Sequence, residues 1–391
     1  MNKKTSFAVA ALITAASVGD GIFALPYLFD RVGWLLCLFY MVLLGGLVVL
    51  AHSVYLETLE KEREKKRLLG LARTYLGKGG FWTGFTAIIA GLLLALLAYL
   101  ILGAQFIRLA LPGVSSEVAF AAFWALISIP VFLDNRYARE LELVGIGVTA
   151  CAVVAVFAAA TPRMLSGGAF FAGAPIANGA YLFLPFGAVL FSLAGWTGIE
   201  TVYEARRAAA VAEAERKGTP APSPDAPRAR VPWITLAQGT LFAVLLYVLF
   251  AAGILGSAPH ITPDTASGLA SWPLWERTLG ALIGLIAVGT AYIPMSREIR
   301  NSLERDLGWN KAFSRAVILF VPPALIGFGL NSFIVVIGLV GGVFLSIQYL
   351  LIISVGRRAL TVGRVKGFLL DLAALVFVVA AVYEVVGFVV H

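Results

Sequence analysis

From Phe81 to Ile107 the chain runs for 27 residues without a charged side chain. At about 1.5 Å per helical residue, such a stretch exceeds the roughly 30 Å hydrocarbon core of a bilayer. Backbone polar groups inside lipid must be bonded within the protein, so a spanning segment is either helical or part of a closed barrel. Barrel strands alternate inward and outward over about ten residues, and no such alternation occurs here. Similar apolar runs recur along the 391 residues, of which 60% are apolar and 13% charged. Soluble domains hold about 45–50% and about 25%, so a soluble globular fold is excluded. The chain reads as an all-α polytopic membrane protein.

Eleven spans are expected: Ser6–Tyr27, Trp34–Leu56, Phe81–Leu111, Val118–Leu133, Leu141–Ala160, Tyr181–Val202, Trp233–Leu255, Leu274–Ile293, Phe313–Gly329, Phe333–Ser354 and Phe368–Val389. Lysine and arginine collect in cytoplasmic loops. With a cytoplasmic N-terminus, 26 of the 30 basic residues fall inside. The other four, Arg31, Arg108, Arg163 and Arg277, sit at outer ends or loops. Adding or dropping one span would destroy this partition, so the C-terminus is expected outside. Topology and anionic lipid account for the net charge of +8 without a nucleic-acid partner. The expected location is a bacterial or archaeal inner membrane.

Met1–Lys4 followed by apolar residues imitates a signal peptide, but the run continues to Tyr27 without a cleavage site. It reads as an uncleaved first span. Cys37 and Cys151 both lie in apolar segments and read as small packed hydrophobes. Glu57–Lys78 mixes charges with good helix formers and is expected to form a short, charged helix. Residues 205–231 contain Thr219-Pro-Ala-Pro-Ser-Pro-Asp-Ala-Pro227 and read as a flexible cytoplasmic tether.

Two spans carry glycine-rich interruptions: Ser17-Val-Gly-Asp-Gly-Ile-Phe-Ala-Leu-Pro26 in the first and Phe191-Ser-Leu-Ala-Gly-Trp-Thr-Gly-Ile-Glu200 in the sixth. Spans one and six open the two halves of a five-plus-five arrangement (6–160 and 181–354), leaving 368–389 as an added eleventh span. Because five is odd, the second half enters from the opposite side, which makes an inverted repeat. Paired interruptions at corresponding places in two such halves point to a transporter's central site. Each break exposes N–H groups suited to a carboxylate and carbonyls suited to an amine or cation, so a zwitterionic amino acid fits both. Gly45-Gly46, Gly145-x-Gly147 and Gly341-Gly342 read instead as helix-packing glycines.

Asp20 lies inside a span, where an acid costs at least ~2.5 kcal/mol on insertion scales. It reads either as carrier of a coupling proton or holder of a cation or amine, or as a helix cap facing a water-filled vestibule. Glu200 reads as a proton or gate residue. Glu204, four residues on, reads as a solvated partner of Arg206 and Arg207. Trp196 and Thr197 are candidates for contacting a substrate side chain. Asp371 and Glu384 read as interfacial. His52, His260 and His391 lie at span ends and loops and suggest no metal site, and no cofactor is implied.

Gly19-Asp-Gly-Ile-Phe-Ala-Leu-Pro26 resembles the Gly-x-Gly-Ile-x-x-Leu-Pro signature of permeases in the amino acid-polyamine-organocation superfamily, within its aromatic amino acid and auxin permease branch. The sixth-span segment Phe191–Glu200 and Asn331–Phe344 of the tenth span are similar to the corresponding segments of that branch. The resemblance implies the LeuT/APC-type inverted repeat with broken helices 1 and 6, and secondary transport of an amino acid coupled to H+ or Na+. It implies that the substrate carboxylate meets the Gly21 and Ile22 backbone, and that its amine meets carbonyls near Ser17, Val18, Ala194 and Gly195. The implied substrate site is Ser17, Val18, Gly19, Asp20, Gly21, Ile22, Ala194, Gly195, Trp196, Thr197 and Gly198, with Asp20 and Glu200 in ion coupling. Two departures stand out: Asp20 replaces a small neutral residue, and Glu200 replaces a frequent proline. The added acid leaves open a cation, metal-ion or polyamine substrate on the same fold. An enzyme is disfavoured, because the acids of the inner loops are interleaved with Lys and Arg and are not clustered for Mg2+.

Overall fold

The computed structural model describes residues 3–18, 20–62, 66–132, 147, 151, 153–155, 158, 161–162, 176–217, 219, 231–258 and 260–390. Among them all regular structure is helical. The first span is α1 (Lys3–Ser17), a single 3-10 turn at Asp20–Ala24, and α2 (Leu25–Val32), which Pro26 opens. Gly33, at φ 96°, turns the chain into α3 (Trp34–Lys61). Next come α4 (Leu68–Ala110) and α5 (Ser116–Ser128), whose first turn is capped by the Ser115 hydroxyl. The sixth span is divided into α6 (Pro185–Leu193) and α7 (Trp196–Lys217). It is followed by α8 (Trp233–Leu255), α9 (Leu274–Asn301), α10 (Lys311–Ile326), α11 (Phe333–Leu339), α12 (Ser346–Ala359) and α13 (Arg364–Val390). A π-helical turn at Val340–Leu345 joins α11 to α12.

Among the described residues, six helical segments are long and apolar enough to cross a membrane. The remaining expected spans depart from that description for identifiable reasons. Spans one and six are split at their glycines, α5 is short, and α10 carries Pro322-Pro323. Most of the expected fifth span lies outside the described residues.

The charged linker at Glu57–Lys78 is divided between elements. α3 runs on to Lys61, and Leu68–Leu76 forms a short helix that kinks into the rest of α4 at Gly77, φ 74°. The tether expected from residue 205 gives way to helix up to Lys217, where α7 ends. Its alanines, glutamates and arginines are strong helix formers, and Glu213 and Lys217 pair across one turn at 2.6 Å. Residues 218 and 220–230 lie outside the described residues.

α4 is the most enclosed of the long helices and α13 the most exposed. α4 packs against α9, α5 and α12, whereas α1 packs against α8 and α7. The outward row on α13, which includes Phe368, Leu372, Leu375, Val379 and Val386, is apolar, as a lipid-facing surface requires. At one end of the bundle, here termed the basic end, charged groups tie helix termini together. Lys366 binds Glu57 at 2.9 Å, Lys61 donates to the Ala359 carbonyl at 2.5 Å, and Arg206 pairs with Glu60. Glu204, expected beside Arg206 and Arg207, lies 3.8 Å from Arg67.

Candidate functional site

The two interruptions meet face to face. α1 ends at Ser17, and in the sixth span Ala194 is extended (φ −64°, ψ 127°) between α6 and α7. Glycine makes the approach possible. A Cβ on Gly21 would lie 2.4 Å from Ser192 Oγ, one on Gly195 would lie 2.9 Å from Ser17 Oγ, and one on Gly198 would lie 2.4 Å from Ala16 Cβ. Each break therefore supplies the glycines that admit the other.

Ending a helix frees its last carbonyls, and burial obliges them to find donors. Tyr247 of α8, itself fully buried, places its hydroxyl 2.5 Å from the Ser17 carbonyl and 2.5 Å from the Ser192 carbonyl. One side chain thus serves both free helix ends. Thr265, held at φ 58° in the loop before α9, donates its hydroxyl to the Phe23 carbonyl at 2.5 Å. On the other side, Trp196 Nε1 donates to Gln348 Oε1 at 2.7 Å, and Gln348 Nε2 donates to the Ala87 carbonyl at 2.9 Å. The Tyr349 hydroxyl lies 3.2 Å from His52 Nε2. α8 and α12 therefore hold the sixth-span break from opposite sides.

Between the breaks lies a cavity of about 60 Å³ whose walls include Ser17, Gly21, Tyr99, Phe191, Trp196 and Gln348. It shares Ala16, Tyr99, Thr197 and Met295 with a vestibule of about 160 Å³ that leads toward the basic end. Val18, Gly198 and Glu200 border the vestibule. Glu200 accepts from the Tyr55 hydroxyl at 2.5 Å and from the Leu68 amide at 3.4 Å, and lies 3.5 Å from Arg67. Arg67 reaches Glu298 at 2.6 Å and Glu204 at 3.8 Å. A buried acid here is thus paired and hydrogen-bonded on several sides, as buried charges require.

Of the residues singled out from sequence, Ser17, Gly21, Ala194, Gly195, Trp196 and Thr197 converge on the cavity. The Ile22 side chain packs in the apolar core and not in the cavity wall. Gly19 and the side chain of Asp20 lie outside the described residues. One expectation is corrected. His52 is fully buried within α3 and not at its end, with Nδ1 lacking a hydrogen-bond partner. The Glu384 side chain fills a niche left by Gly187, Gly338 and Gly342. Sequence reading passed over Tyr247, Tyr349, Gln348, Tyr55 and Arg67. Polar residues such as Gln348 and His52 inside apolar runs were the available signal. Among the described residues no group of His, Cys, Asp and Glu is arranged to hold a metal.

Residues 2–172 match the tryptophan/tyrosine permease family. The matched part contains the first break, α3 and α4. No curated protein matches the chain. Among solved structures, MhsT in complex with L-phenylalanine aligns with a TM-score of 0.61 at 14% identity, covering 99% of this chain and 98% of that one. The manganese transporter of Eremococcus coleocola aligns with a TM-score of 0.58 at 14% identity, covering 97% and 86%. Mhp1 in its inward-facing conformation aligns with a TM-score of 0.55 at 12% identity, covering 88% and 76%. The chain shares the LeuT-type fold of these transporters.

Proposed function

We propose that this protein is a secondary active transporter that moves an aromatic amino acid across the membrane by alternating access. The observation that carries the reading is the pair of touching helix breaks around a cavity walled by Tyr99, Phe191 and Trp196. The free backbone groups of the breaks suit a zwitterion, and the aromatic walls suit an aromatic side chain. The match of residues 2–172 to the tryptophan/tyrosine permease family supports the same substrate class. A cavity that accepts benzene measures about 150 Å³, so the cavity of about 60 Å³ must widen to admit such a side chain. Movement of the half-helices α1 and α7, which border both cavity and vestibule, supplies that opening.

In this proposal the eleven spans form a five-plus-five inverted repeat, with the N-terminus and the basic end in the cytoplasm and the C-terminus outside, in a bacterial or archaeal inner membrane. Transport is coupled to H+ or Na+. Asp20 is the coupling position in the first break, and Glu200 is the gate acid between vestibule and Arg67. The acids Glu200, Glu204 and Glu298 lining the vestibule favour a polyamine or cation as the second reading.

Proteoliposomes holding the purified protein test both readings against the twenty amino acids, polyamines and Mn2+ under imposed H+ or Na+ gradients. Gradient-driven uptake of tryptophan, tyrosine or phenylalanine, reduced at least tenfold in Asp20→Asn, is the expected result. Uptake of a polyamine or Mn2+ in place of every amino acid replaces the first reading with the second.

A further inference from the structure

Interrupted helices in transporters commonly leave carbonyls at the half-helix C-termini to a coupling cation. In this chain the corresponding carbonyls are those of Ser17, ending α1, and Ser192, near the end of α6. A single phenol oxygen, that of Tyr247, lies 2.5 Å from each. Ca2+, an ion of nearly the same radius as Na+, takes oxygen ligands at about 2.3–2.6 Å. The hydroxyl therefore stands where a cation bridging the two helix ends would stand, at the same separation. Ser17 Oγ, on the same helix end, is buried and has no hydrogen-bond partner.

We infer that Tyr247 determines the ion dependence of this protein: its hydroxyl permanently fills a cation position between the two breaks, so the junction works without Na+. The inference rests on reading the chain as a coupled transporter and narrows its coupling. The hydroxyl carries a proton and no net charge, so it neutralises neither helix end fully. It serves instead as a fixed strut that cannot dissociate during the cycle. Removing it leaves the two carbonyls of Ser17 and Ser192 facing a space of atomic size. Such a set of oxygens is the ligand environment of a hard monovalent cation.

The test compares wild type, Tyr247→Phe and Tyr247→Ser in detergent and in proteoliposomes, with NaCl replaced by choline chloride at constant ionic strength. Wild type is expected to show the same melting temperature in both salts and uptake that changes less than twofold. Tyr247→Ser, which leaves room for an ion and a water, is expected to melt several degrees higher in Na+, with uptake at least fivefold dependent on it. Tyr247→Phe is expected to show the same dependence in smaller measure. A wild type that requires Na+ or is stabilised by it overturns the inference, as does Na+ indifference of both variants. If neither variant folds, the wild-type result alone decides. The melting shifts need no substrate, so failure of aromatic amino acid uptake would sink the proposed function while leaving the ion measurement readable.

Discussion

Arg67 shows how one side chain organises the lower end of the site. It faces Glu298 at 2.6 Å, Glu200 at 3.5 Å and Glu204 at 3.8 Å. Removing the cation strands two largely buried carboxylates, whereas neutralising Glu200 leaves Arg67 with two partners and keeps an acceptor for Tyr55. Arg67→Ala is therefore expected to lower stability by about 1–3 kcal/mol, and Glu200→Gln by less than about 1 kcal/mol. Unfolding curves in detergent check the order, and a larger loss for Glu200→Gln would mean that the carboxylate, and not the arginine, anchors the cluster. Glu200 was legible in the sequence, because it is an acid just past the interruption of the sixth span. Its partners were not. Tyr55 is 145 residues away and Leu68 132 residues away in the chain, and no local pattern connects them.

Among the elements, the interrupted helices were the most legible, since Gly-x-Gly and Pro26 break a helix by local chemistry alone. What the glycines do was less visible. Gly21 and Gly195 allow the two breaks to touch, and Gly341 lets the π-helical turn approach α6, because a Cβ there would lie 1.7 Å from the Gly187 carbonyl. Gly46 was read as the same kind of packing residue, yet nothing lies within 4 Å of its Cβ position. The two classes separate by experiment. Gly21→Ala, forced to within 2.9 Å of the Ser192 Cα, is expected to destabilise by about 1–3 kcal/mol and to abolish uptake. Gly46→Ala removes a flexible residue from a helix interior and is expected to gain up to about 1 kcal/mol with uptake intact. Thermal unfolding and proteoliposome uptake of the two variants, side by side, provide the comparison. Equal losses would show that the breaks tolerate a methyl group as poorly as any other helix surface.

For the whole molecule, the proposed eleven spans would place the two termini on opposite sides of the membrane. An alkaline phosphatase fused after His391 is expected to be active outside, and a fluorescent protein fused before Met1 to fluoresce inside. Both termini on the same side would overturn the odd count. The sequence by itself determined that the chain is a helical membrane protein, where its apolar segments lie and where two of them break. These features follow from the bilayer as solvent, which acts on each segment separately through its length, charge and backbone hydrogen bonds. Only the tertiary structure decided that Tyr247 serves Ser17 and Ser192, that His52 is buried beside Tyr349, and that Glu384 fills the niche left by Gly187, Gly338 and Gly342. Such meetings depend on where helices far apart in the chain cross, up to 297 residues apart for His52 and Tyr349. A buried polar group is satisfied by whichever donor the crossing brings within about 3 Å, and that distance is a property of the packed bundle.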